Sequence, residues 1–146
     1  MEKQVFDIEK IQSIIDVIRH CVVLNFKVHE IDGKKLVIEL PFSESIIGNP
    51  DKRIVHGGAI TTLLDTTCGM CIPLALKEFQ IAPTLDLRID YMTAAKPDLS
   101  IFACAEAYRV SNNVVFARGI AYQDDESQPI AHCAATFMRL SKQVTG

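Results

Sequence analysis

The sequence predicts an α+β domain in which a curved antiparallel sheet of about six strands wraps one long central helix, with an extra helix at the N-terminus. Three observations lead there. Residues 57–77 form an almost uncharged apolar run with helical spacing. Two segments before it and four after it are rich in Val, Leu, Ile and Phe and bounded by turn residues, as strands are. No repeat or low-complexity linker divides the 146 residues, a length usual for one core, so 1–146 is expected to be a single domain.

The first element is a helix over 4–19, where Val5, Ile8, Ile11, Ile14, Ile15 and Ile18 recur every three to four positions. Residues 21–31 and 34–41 then flank Asp32-Gly33, a strong two-residue hairpin signal. The stretch 41–55 contains Pro41, Gly48, Pro50, Asp51, Lys52 and Arg53, the makeup of an irregular loop. The central helix follows over 57–77, with Gly69 and Pro73 expected to weaken or kink its second half. Strands are expected over 81–93, 99–110, 114–123 and 129–140. In the first of them Leu85, Leu87, Ile89 and Tyr91 alternate with Asp86, Arg88 and Asp90, giving one apolar and one polar face.

Composition removes several classes. Hydrophobic residues at 49% and charged residues at 23% fit a folded globular chain. A net charge of −3 with scattered Lys and Arg argues against a nucleic-acid surface. The start, MEKQVFDIEK, lacks the order of a signal peptide, so no membrane association and a cytoplasmic location are expected. Five cysteines spread over apolar segments read as buried free thiols, and the Cys68-x-x-Cys71 pair has no second pair to complete a zinc site.

The chemistry gathers at VHGGAITTLLDTTCGMC, residues 55–71. A single carboxylate, Asp65, in a helix that otherwise buries uncharged residues would be costly unless its site is polar, wet or functional. Its helical neighbours Thr61, Thr62, Cys68 and Gly69 are small and leave room for another group. Gly57 and Gly58 fall at the helix start, where first-turn N–H groups lack partners and can receive a developing oxyanion. Gly58 also permits close substrate approach, and His56 either fixes the turn or contacts the substrate. The competing reading of Asp65 is an ordinary hydrogen-bonded or salt-bridged core carboxylate.

These residues, His56-Gly57-Gly58 followed by Leu64-Asp65 and Gly69, resemble the hotdog-fold acyl-CoA thioesterases of the phenylacetate-pathway (PaaI-like) group. The resemblance covers roughly Asn25 to Leu140. It implies that the Gly57 N–H polarises the thioester carbonyl and that Asp65 is general base or nucleophile. It further implies that Asn49 completes the opposite side of the site, that Thr84 helps hold the attacking water, and that His56 orients the carbonyl or stabilises the turn. Acid and glycine turn usually come from different subunits in this fold, so a homodimer, or a dimer of dimers, is implied.

A thioester is already activated, so neither metal nor organic cofactor is expected, coenzyme A entering as part of the substrate. Arg53, Arg88, Lys96, Arg109 and Arg118 are candidates for its phosphates, with Asn112 at a strand end beside Arg109. Leu64, Phe79, Ile81, Tyr91 and Met92 are candidates to line the acyl tunnel, for which medium to long aliphatic chains are the first expectation. A hotdog enoyl-CoA hydratase and a non-catalytic acyl-CoA binding module are the rival readings.

Overall fold

The computed structural model describes residues 4–140. Its N-terminal helix α1 is shorter than the 4–19 expected from spacing, spanning Ile8–Ile15. Asp7 caps it by accepting from the Lys10 N–H at 2.9 Å, and a tight turn through Val17 and Ile18 ends it. Ile11 and Ile15 are its buried residues. A second short helix, α2, runs Arg19–Val23, where the sequence pattern suggested the start of a strand. Asn25 then adopts a left-handed φ of 58°, which stops the helix and turns the chain into β1.

Strands β1 (Lys27–Asp32) and β2 (Lys35–Leu40) form the expected hairpin. Gly33 takes the positive φ, 60°, that the first position of a type II′ connection needs. The segment expected as irregular loop holds a small ribbon instead, β3 (Ile47–Asn49) paired with β4 (Ile54–Val55). That ribbon delivers the chain to the central helix.

The central helix is two pieces, α3 (Gly57–Met70) and α4 (Ile72–Leu76). The break at Cys71 has a direct cause in Pro73, which has no N–H for the Gly69 carbonyl and whose ring would press on it. Lys77, in the left-handed region at φ 58°, ends α4. Gly57–Leu76 has the length and hydropathy of a membrane span, but here its apolar side chains form the core.

Strands β5 (Thr84–Tyr91), β6 (Ile101–Val110), β7 (Val114–Tyr122) and β8 (Ala131–Met138) complete one six-stranded sheet in the order β1-β2-β6-β7-β8-β5. Every pairing in it is antiparallel, and β1 and β5 are the edges. The sheet face toward α3 is built largely of small residues, among them Ala103, Ala105, Ala117, Ala131 and Ala135, all buried. Small side chains let the helix lie close to the strands. Leu63, Leu64 and Ile72 fill the space between, and burying each contributes about 2 kcal/mol.

Candidate active site

The turn that starts α3 is held from several directions. His56 is its N-cap, with the extended backbone the position requires, and its Nδ1 accepts from the Gly58 N–H at 2.8 Å. The His56 N–H in turn donates to the Ile46 carbonyl at 2.8 Å, tying the turn to the β3–β4 ribbon. Glycine is required beside it. A Cβ on Gly58 would stand 2.7 Å from His56 Nδ1, and one on Gly48 3.0 Å from the His56 Cα. The N–H of Gly57 is one of the first-turn donors that the helix cannot satisfy internally.

Asp65 lies two turns further along the same helix and is half-buried. Its Oδ1 accepts from the Thr84 hydroxyl at 2.8 Å. Among the described residues no Lys, Arg or His forms an ion pair with it, so the salt-bridged core reading finds no partner. A β-bulge sets the contact with Thr84. The β5–β8 register shifts between Thr84 and Asp86, so Thr84 faces the helix while Asp86, Arg88 and Asp90 face the other side. Leu85 is left half exposed at the bulge, although the simple alternation had placed it on the apolar face.

The structure brings His56, Gly57, Gly58, Asp65 and Thr84 onto α3 and the strand beside it. Asn49 sits in the ribbon that leads into this helix, but its Oδ1 accepts from the N–H groups of Asp51 and Lys52 at 3.0 and 3.1 Å, closing the ribbon's own turn. The cations part company with the rest. Arg88 and Arg118 both register opposite Ala134, on the outer face of the sheet, and Arg109 opposite Phe116 on that same face. Arg88 pairs with Asp90, Arg118 pairs with Glu106 and lies over the Tyr108 ring, and Arg109 lies over Phe116. Asn112 is in the exposed β6–β7 turn. Within the chain the sheet therefore separates these arginines from Gly57 and Asp65.

Of the expected tunnel residues, Leu64 is fully buried core, whereas Phe79, Ile81, Tyr91 and Met92 are half or more exposed. Tyr91 and Met92 border a cavity of about 350 Å³ beside Gly57, with Ile54, Val55 and Ile60 among its apolar walls. Two polar contacts of this turn went unread in the sequence. The Tyr91 hydroxyl donates to the Gly57 carbonyl at 2.7 Å and lies 2.6 Å from Thr61 Oγ1. The signals available were Thr61 four positions after Gly57 and a phenol at the end of an otherwise aliphatic stripe.

Cys68 and Cys71 lie near Asp65 but are buried. Cys68 follows Asp65 by three residues, yet its bond to Cys133, at 3.5 Å, and its burial push the thiol well above its ordinary value. Burial does the same to Cys71, whose Sγ donates to the Cys68 carbonyl. Both stay protonated and weakly nucleophilic.

A family model described as thioesterase superfamily matches residues 53–130. The medium/long-chain acyl-CoA thioesterase YigI of Escherichia coli K12 is 28% identical over 106 residues, spanning 64% of this chain and 67% of YigI. A Pseudomonas aeruginosa protein of known crystal structure is 53% identical with a TM-score of 0.83, covering 91% of this chain and 98% of that one. The E. coli PaaI protein from the phenylacetic acid degradation operon shares the fold at 13% identity, with a TM-score of 0.76 over 88% of this chain and 89% of PaaI.

Proposed function

From the premise that this chain belongs to the thioesterase superfamily, as a PaaI-like hotdog thioester hydrolase, we propose that it cleaves acyl-CoA thioesters, with the Gly57 N–H and Asp65 as the working groups. The observation that carries this reading is Asp65 itself. It is a half-buried carboxylate that pairs with no cation among the described residues and is held by one hydroxyl, on the helix whose first turn offers the glycine donors. The thioester oxygen would accept from the Gly57 N–H, and charge developing there would be stabilised by the donor and the helix N-terminus. As general base, Asp65 takes a proton from water while the oxygen adds to the carbonyl carbon. The C–S bond then breaks, and the coenzyme A thiolate leaves and recovers that proton. As nucleophile, Asp65 would add directly, giving a mixed anhydride that water hydrolyses. Thr84, bonded to one carboxylate oxygen, leaves the other to do this work.

Eight helical steps lead from Gly57 to Asp65, about 12 Å along the axis. A reacting carbon must lie about 3 Å from both donor and attacking oxygen. One chain therefore cannot serve a single carbonyl with both groups, which supports a site shared between two subunits. The open edge of β5, with Leu85 exposed on it and Phe79 and Ile81 exposed in the segment that leads into it, supports a homodimer formed there. The exposed Tyr108 and Met138 on the outer sheet face support pairing of such dimers.

Chromatographic detection of free coenzyme A from short, medium, long and aryl acyl-CoAs tests the reading. Asp65→Asn is expected to lose about 10²-fold or more in kcat; wild-type rates in that variant would sink it. Gly57→Pro removes the N–H at a position where helices tolerate proline, after a residue already extended. Mixing the two inactive variants is expected to restore about a quarter of wild-type activity, because half the dimers then hold one intact shared site. No recovery on subunit exchange would show the site to lie within one chain.

A further inference from the structure

We propose that Tyr91 is a positioning residue for the carbonyl-polarising turn, holding the peptide between Gly57 and Gly58 so that the Gly57 N–H keeps its aim. The inference rests on the reading of Gly57 as that donor. Two consecutive glycines are torsionally loose, and a donor that must point at a developing charge cannot be left to two unrestrained residues. The structure clamps that one peptide at both ends. Its N–H, on Gly58, is held by His56 Nδ1 at 2.8 Å. Its oxygen, on Gly57, accepts from Tyr91 at 2.7 Å, and the Tyr91 oxygen in turn accepts from Thr61 Oγ1 at 2.6 Å.

The simple alternative is that Tyr91 satisfies an otherwise orphaned carbonyl. Gly57 is the first residue of α3, however, so its carbonyl already has a helical partner in the N–H four residues on. The added phenol donor is superfluous for satisfaction and effective as a restraint. The phenol also lies close over the turn, since a Cβ on Gly57 would stand 3.3 Å from its oxygen. Tyr91 is the last residue of β5, registered opposite buried Ala131, and the first residue of the same strand, Thr84, holds Asp65. One strand thus tethers the helix at its donor and at its acid.

Tyr91→Phe removes only the hydroxyl of a half-exposed ring, so the fold should survive; Thr61→Val is the second variant, acting on the same cluster. Tyr91→Phe is expected to lower kcat about 10-fold with KM changed less than about 3-fold, and to leave the shape of the pH profile unchanged because the hydroxyl passes no proton to substrate. The double variant should be little worse than the worse single one. A direct readout is the infrared carbonyl frequency of a ¹³C-labelled acyl-CoA bound to Asp65→Asn, where Gly57 should shift it down and Tyr91→Phe should relax it. Unchanged kcat and an unchanged frequency in Tyr91→Phe, with Gly57→Pro losing both turnover and shift, would overturn the role of Tyr91 alone. Retention of both by Gly57→Pro would instead overturn the reading of the turn on which it rests.

Discussion

Replacing His56 by alanine isolates the cap at the head of the central helix. The side chain accepts one first-turn N–H, that of Gly58, at 2.8 Å. Losing a cap costs 0.5–2 kcal/mol in general, and because His56 is exposed, water can reach the freed N–H, which puts the cost at about 1 kcal/mol. For a chain of 146 residues that lowers Tm by about 3 °C, read by circular dichroism at one fixed protein concentration because assembly would shift it. Turnover should drop with it, since the same bond holds the Gly57–Gly58 peptide. His56→Asn supplies a shorter but preferred capping oxygen and should return Tm to within about 1 °C of wild type along with much of kcat. A wild-type Tm in His56→Ala would refute the capping argument. Recovery of Tm without kcat in His56→Asn would show that the imidazole itself meets the substrate.

Three further outcomes follow from packing and burial. Gly48→Ala brings a Cβ to 3.0 Å from the His56 Cα, backbone that cannot swing aside, and should cost about 1–3 kcal/mol in a urea titration, with reduced turnover. Leu63→Ala, at a fully buried position under the sheet, should cost about 2–5 kcal/mol by the same measurement. Cys71 tests the thiols. Its folded value is raised by burial above the unfolded one, so the stability it contributes is complete below about pH 8.5 and falls as pH rises beyond that, by up to about 1.4 kcal/mol per pH unit. Urea midpoints between pH 7 and 10 should therefore decline less steeply in Cys71→Ala than in wild type.

Much of this architecture can be read along the chain because local patterns report it. The apolar run over 57–77 is the core helix, Pro73 breaks it, and Gly33 turns the first hairpin. Where local pattern failed, a neighbour in space had the stronger claim. Val22 and Val23 look like a strand but continue a short helix, whose buried residue Cys21 lies 3.8 Å from Thr66 on α3. The loop 41–55 hides a two-stranded ribbon because its pairs are few and its composition is that of turns.

Spacing along the chain is enough to put a lone acid two turns below a His-Gly-Gly start, because helical period is a local property. Tertiary structure decided what those residues touch. The bulge after Thr84 aims its hydroxyl at Asp65, Tyr91 reaches Gly57 from the far end of the same strand, and Arg88, Arg109 and Arg118 fall on the opposite side of the sheet. Each of these depends on strand register, and a slip of one residue reverses the face a side chain presents, so only the pairing of distant segments could settle them.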